Sequence, residues 1–357
     1  DIVLLDIFNT LGLPTSTTVS MVFELLGGTV AIALIKTFGD SAINAGELMN
    51  TSKALTMIMA IFVSVAIAFA VGTFVQYISR LIFTFTYNNK ALKWKIGIFG
   101  GIAFTAIVYF MLIKGVGNFS FMTADAKAWM NTHQWTICGI CFVTFAILSQ
   151  ILYFLKISVF KVLVLAGTFA LAMAFAGNDL VNFIGVPLAG FASYTDFMAN
   201  GNGDYAGFMM DSLNGPAKTP VLFLVAAGTI MVISLATSKK AFNVVKTSVD
   251  LARQDAGDEM FGSSKMARIL VRFSTNTAAG ISELVPVRVK RWINARFNNE
   301  NVVLPRGAAF DEIRATVNLV VSSLLIALGT SLTLPLSTTY VTFMVAMGTS
   351  LADRAWG

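Results

Sequence analysis

Pro14-Thr15-Ser16-Thr17-Thr18 leads into an apolar run that carries Gly27, and Pro335-Leu336-Ser337-Thr338-Thr339 leads into another that carries Gly348 at the same offset. A proline followed by hydroxyls marks a helix start. Proline lacks the N–H that would be unsatisfied there, and a hydroxyl oxygen accepts a bond from another of the free N–H groups. When such a helix starts inside a membrane, its remaining N–H groups and the positive end of its dipole suit an anion. A pair of such starts, one per half, points to a transporter built from a duplicated unit.

Working outward, the composition places the chain in a bilayer. Hydrophobic residues make up 56% and charged residues 12% of the chain, and the mean hydropathy is +0.75. A soluble domain carries about 25% charged residues. The apolar runs predict spans at roughly 15–37, 54–79, 96–114, 135–155, 157–176, 219–237, 313–332 and 337–352. The expected class is an all-α polytopic membrane protein with inverted-topology repeats and discontinuous helices. The net charge of +6 does not indicate a nucleic-acid partner, because the basic residues lie in the loops between spans. The chain begins at Asp1 with no signal-peptide pattern and stops just after a span, and it reads as a fragment of a longer protein.

Loop charge gives an orientation. One side receives Arg80, Lys90, Lys93 and Lys95 with no acid, then Lys156, then the basic stretch 239–312. The other side receives Asp40, Glu47, Asp125, Asp196, Asp204 and Asp211 against Lys53, Lys127 and Lys218. The basic side is expected to be cytoplasmic. This divides the chain into a membrane part at 1–238, a cytoplasmic insertion at 239–312 with amphipathic helices along the bilayer surface, and a membrane part at 313–357. The insertion reads as a solvated connector, with a regulatory role left open. The helix after Ser16-Thr17-Thr18 then runs outward from the basic side. The helix after Ser337-Thr338-Thr339 runs inward from the acidic side.

The most unusual polar cluster is Gly177-Asn178-Asp179-Leu180-Val181-Asn182, with apolar sequence on both sides. An Asp at membrane depth costs about 2.5–3.5 kcal/mol on insertion scales, so it takes a partner or faces water. Gly177 predicts a break, with Asn178 or Asp179 capping a second half-helix. Asn182 shares the face of Asp179. Carboxylate, amide and unwound backbone carbonyl oxygens suit Na+, and Asp179 alone suits a proton. The competing reading is a turn capped by Asp at the membrane surface. Glu24, two helical turns beyond Ser16, is a second candidate for an ion site or proton path, or a simple bundle partner; its counterpart in the other copy is Val345.

Other residues read as structural. Cys138 and Cys141 have CxxC spacing but no second pair, so ordinary buried cysteines are expected. His133, beside Trp135, reads as interfacial. Gly97 and Gly101 predict close helix packing. A single histidine and no convergent acids argue against an enzyme, and no filter-like carbonyl repeat supports a channel. No metal is expected beyond Na+, and no cofactor.

At these motifs the chain resembles the PiT family of inorganic phosphate transporters. That family is similar in carrying Gly-x-Asn-Asp-x-x-Asn early and Pro-x-Ser-Thr-Thr late in each repeat. Here the late motif occurs twice, and the early one occurs once, at Gly177 to Asn182. The chain departs from the pattern in two places: Gly177 directly precedes Asn178, and Val19 and Tyr340 follow the second threonines. The resemblance implies symport of phosphate with Na+ or H+ across a bacterial inner membrane, with a homodimer left open. It assigns phosphate to Ser16, Thr17, Thr18, Asn178, Asp179, Ser337, Thr338 and Thr339. It assigns the cation to Asp179, Asn178 and Asn182, and Glu24 is added from its position in the span. Sulfate or another tetrahedral oxyanion is the alternative substrate. On this reading the second half-site is complete, and the first lacks a wall that would precede Asp1.

Overall fold

The apolar runs form helices because acyl chains offer the backbone no hydrogen-bond partner, so each N–H and carbonyl of a Leu, Ile, Val, Phe and Ala stretch must be satisfied within its own segment. The computed structural model describes residues 2–13, 15–39, 46, 48–85, 89–111, 123–203, 208, 219–251, 272, 286–298, 311–332 and 334–355. The helices are α1 Ile2–Thr10, α2 Thr17–Gly39, α3 Thr51–Ile82, α4 Asn89–Val108, α5 Ala124–Thr132, α6 Gln134–Phe154, α7 Val159–Asn200, α8 Val221–Thr237, α9 Lys239–Leu251, α10 Val287–Arg296, α11 Glu312–Ser331 and α12 Thr338–Ala352. No strand is present among the described residues. Of the insertion, α9 and α10 are described; 252–271, 273–285 and 299–310 lie outside the described residues.

Six helices, α2, α3, α4, α6, α7 and α11, are long and apolar enough to cross a bilayer. The apolar runs predict eight spans. The difference is length: α12 has 15 residues, and α8, with 17, is long enough only together with the first part of α9, which would make a seventh span. At 1.5 Å per residue α12 reaches about 22 Å, short of the ~30 Å hydrocarbon core. α8 and the first part of α9 meet at a bend of 69°.

The expected break at Gly177 is not observed. α7 is one helix of 42 residues through Gly177, Asn178 and Asp179, with Pro187 inside it. A mid-helix glycine costs only about 1 kcal/mol. Here the helix is carried through by packing against α11, where Gly167 brings its backbone onto Leu319, while the polar side chains around Asp179 find side-chain partners (below). Unwound carbonyls are therefore not part of the cluster.

Small residues set the helix contacts. α3 and α12 run side by side in the same sense. A Cβ on Gly72 would lie 2.8 Å from the Val345 carbonyl oxygen, and one on Gly348 would lie 2.4 Å from that of Phe69. With no hydrophobic drive between helices in lipid, such close approach supplies the packing energy. Gly348→Val is expected to force these helices apart at a cost of about 1–3 kcal/mol, read as a lower melting temperature in detergent. An unchanged melting curve would show that the two helices do not meet there. Gly97 and Gly101 pack as expected, against the Ala146–Gln150 stretch of α6. The core between α4, α7 and α11 gathers Phe83, Ile96, Val159, Phe160, Leu163 and Ile313. A second one gathers Ala68, Val317, Val321, Ile326, Val341 and Val345. Outside, Phe62, Ile140 and Phe169 are exposed on faces suited to acyl chains.

One end of the bundle is closed by charge. Arg80 on α3 donates from Nε to Asp353 Oδ1 at 3.0 Å and from Nη2 to Asp353 Oδ2 at 2.7 Å. Its Nη1 donates to Asp311 Oδ2 at 2.7 Å, and Phe85 lies beneath its plane at 3.7 Å. Gln76 Nε2 donates to both Asp353 oxygens. Asp311 Oδ1 also caps α11 by accepting from the Arg314 N–H, and Arg314 Nε reaches Thr349 Oγ1. Nearby, Ser158 Oγ donates to Glu312 Oε2 at 2.8 Å. The helix ends at Arg80, Asp311 and Asp353, which loop alternation assigns to one face, are thus joined, with Ser158 bonded to Glu312 beside them. None of this network was read from the sequence.

Candidate functional site

Each Pro-x-Ser-Thr-Thr stretch forms the tip of a helix–turn–helix unit, and the two tips use the same bonds. In the first copy Gly12 takes φ +68°, a left-handed conformation that glycine adopts without a Cβ clash, and ends α1. The Leu13 N–H then donates to the Phe8 carbonyl at 2.9 Å. In the second copy Leu334 N–H donates to the Gly329 carbonyl at 3.0 Å, at the matching positions. Next, the Ser16 hydroxyl oxygen accepts from Val19 N–H at 3.2 Å, and that of Ser337 accepts from Tyr340 N–H at 3.1 Å. Pro14 lies outside the described residues. The duplicated sequence therefore makes duplicated local structure, and both serines are N-caps that keep their own O–H protons to donate.

The threonines face α7. Asn182 Nδ2 donates to Thr18 Oγ1 at 2.8 Å and to Thr17 Oγ1 at 3.4 Å. Thr18 Oγ1 donates to Asn178 Oδ1 at 3.5 Å. From the other tip, Thr338 Oγ1 donates to Asp179 at 3.1 Å for Oδ1 and 3.3 Å for Oδ2. Asn178 Nδ2 reaches Thr330 Oγ1, at the end of α11, at 3.4 Å, and Asn182 Nδ2 reaches Asp179 Oδ1 at 3.5 Å. The 2.8 and 3.1 Å bonds are firm; those of 3.4–3.5 Å are weak and can be exchanged for a ligand's oxygens at small cost. Thr18 and Thr338 are buried, and the three α7 residues are half-buried.

Two expectations change here. The threonines of both copies meet one Asn-Asp-Asn face instead of serving separate half-sites, so a single cluster draws on both. α2 also does not start at the face that carries Arg80, Ser158 and Asp311. Its start lies beside Asn178, about twenty residues or ~30 Å along α7 from Ser158. The charge count placed the start of α2 at the basic face, whereas the bonds of Thr17 and Thr18 to Asn182 hold it far along α7 from that face. Of the other assigned residues, Glu24 is exposed on α2 and Thr339 is half-buried. Cys138 and Cys141 are free and half-buried, and His133 is exposed, its Nδ1 3.0 Å from the Trp129 carbonyl oxygen, with its ring stacked on Trp129.

Among the described residues no three His, Cys, Asp or Glu side chains converge as a metal site. The cluster offers one carboxylate, two amides and several hydroxyls, which is the donor set for a monovalent cation or a proton beside an oxyanion. Among the described residues the molecule is all-helical, with six helices long and apolar enough to cross a membrane and a polar cluster between its helices. Comparison with protein-family models, with curated proteins and with solved structures finds no match to the chain.

Proposed function

We propose that the protein is a secondary active transporter that carries inorganic phosphate together with Na+ or H+, by alternating access, in a bacterial inner membrane. The observation that carries this reading is the convergence of Thr17, Thr18 and Thr338, from two helix starts, on Asn178, Asp179 and Asn182 of α7. The hydroxyl protons and the N-terminal ends of α2 and α12 favour an oxyanion. No Lys or Arg is hydrogen-bonded to the cluster among the described residues, so the anion is not held by a fixed cation that would slow its release. Asp179 repels a phosphate dianion unless its charge is neutralised. A cation on Asp179 therefore raises phosphate affinity, and phosphate raises cation affinity by the same factor. That reciprocity is the thermodynamic basis of symport. The two capped tips would move against α7 to open the cluster to one side and then the other.

The test is uptake of radiolabelled phosphate into proteoliposomes, with inward Na+ or H+ gradients imposed separately. Saturable uptake driven by one gradient is expected. Uptake of sulfate in place of phosphate would move the reading to another tetrahedral oxyanion, and steady current without a driving gradient would make the protein a channel. In the same assay Thr338→Val, which keeps the shape but removes the hydroxyl on Asp179, is expected to raise the cation KM about tenfold. An unchanged KM would remove Thr338 from the site.

A further inference from the structure

We infer that α10 is a docking surface for anionic phospholipid headgroups at the end of the bundle closed by Arg80. The inference does not depend on which ion is transported. α10 reads Val-Arg-Val-Lys-Arg-Trp-Ile-Asn-Ala-Arg from Val287 to Arg296, four cations with no acid. Three of its apolar side chains are not covered by protein: Val287 is 63%, Val289 44% and Trp292 50% exposed, while Ile293 is half-buried.

What fixes the occupant is where the helix is fastened. Phe297, just past its end, is buried and stacks on Tyr77 of α3 with ring centroids 5.1 Å apart. Arg354, just past α12, lies over the Phe297 ring and donates from Nη2 to Asn294 Oδ1 at 3.0 Å. α10 therefore leaves the bundle one helical turn inside Arg80, at the last turns of the membrane-crossing α3. Trp94, near the start of α4, is exposed at the same end, as interfacial tryptophans are at the headgroup level. A helix attached there must lie at the boundary between acyl chains and water. Val289, Trp292 and Ile293 share one side of the helical wheel, and Arg296 extends over the Trp292 ring, as a snorkelling side chain does. Arg288 and Arg291 stand on the other sides and are exposed. Apolar chains in the interface with guanidinium groups around them fit a phospholipid with a net negative headgroup. A zwitterionic one leaves the excess positive charge uncompensated.

The test uses the full chain in nanodiscs, with Trp292 as the only tryptophan. Trp94, Trp129, Trp135 and Trp356 are replaced by Phe. The lipid is mixed phosphatidylcholine and phosphatidylglycerol, brominated on one species at a time. Brominated phosphatidylglycerol is expected to quench Trp292 at least about twofold more per mole than brominated phosphatidylcholine. The preference is expected to vanish in Arg288→Gln/Arg291→Gln. Equal quenching by both lipids would overturn the proposal by making α10 a charge-indifferent interfacial helix. Quenching by neither would overturn it by showing that protein, such as the acidic residues of 250–283, covers this face. Should the multiple Trp variant not fold, native mass spectrometry of the unmodified protein reads the same point. Retained phosphatidylglycerol that is lost in Arg288→Gln/Arg291→Gln supports the proposal, and equal retention of both lipids overturns it.

Discussion

Asp179→Asn is expected to leave the protein folded and inserted while abolishing cation-coupled phosphate uptake. The substitution keeps the shape of the side chain and an oxygen that can accept from Thr338, which now lies 3.1 Å away. It removes only the charge. That charge is the single carboxylate among the residues where the two helix starts meet α7, so nothing else in the cluster replaces it as a cation partner. Losing one side of a desolvated charged pair costs about 3 kcal/mol, or ~100-fold in cation affinity. Uptake should fall to the level of empty liposomes at cation concentrations that saturate the unmodified protein. Folding is checked by a monodisperse elution profile and an unchanged melting temperature. Near-normal transport by a folded Asp179→Asn protein would reduce Asp179 to a structural partner of Thr338.

The second large effect is on stability and is expected at Arg80. Its guanidinium is fully buried and binds Asp353 through two parallel bonds and Asp311 through a third. Arg80→Ala leaves two carboxylates facing each other with Arg314 as the remaining nearby cation. Breaking a buried ion pair from one side costs about 3–5 kcal/mol, because the remaining charge is uncompensated. The variant should express poorly or melt at a much lower temperature in detergent. Arg80→Lys should fall between the two, because an ammonium keeps the charge but cannot reproduce the planar fork on Asp353. A melting curve unchanged by Arg80→Ala would show that the network does not hold α3, α11 and α12 together.

These expectations differ in how visible their residues were beforehand. The apolar runs gave the helices, because a membrane-crossing segment must satisfy its own backbone and is written as an uninterrupted stretch. The capped tips were legible twice, because proline, serine and threonine act locally on the next turn; Ser16 and Ser337 do what their position dictates. Gly97 and Gly101 were legible for a different reason: small residues four apart leave a bare strip on one helix face, against which another helix can pack closely. The continuity of α7 was not. Gly177 before Asn178-Asp179 has the local character of a break, but packing of Gly167 against Leu319 and the side-chain partners of Asp179 outweigh a propensity of about 1 kcal/mol. The meeting of Thr18 and Thr338 on one face of α7 was also hidden. It depends on how far along α7 each tip meets it, and loop charge reports only on completed crossings. Arg80, Asp311 and Asp353 were read as loop and terminal charges. Their pairing joins positions 273 and 231 residues apart in the chain, for which no local pattern exists.

The central claim is that a single cluster on α7 binds phosphate and a cation in mutual dependence. Equilibrium binding of radiolabelled phosphate to the purified protein, titrated with Na+ against choline and repeated over a pH series, tests it most directly. The account predicts that the apparent phosphate Kd falls as Na+ or H+ rises, and that this dependence disappears in Asp179→Asn. Phosphate binding that is indifferent to both cations, or no phosphate binding under any condition, would contradict it.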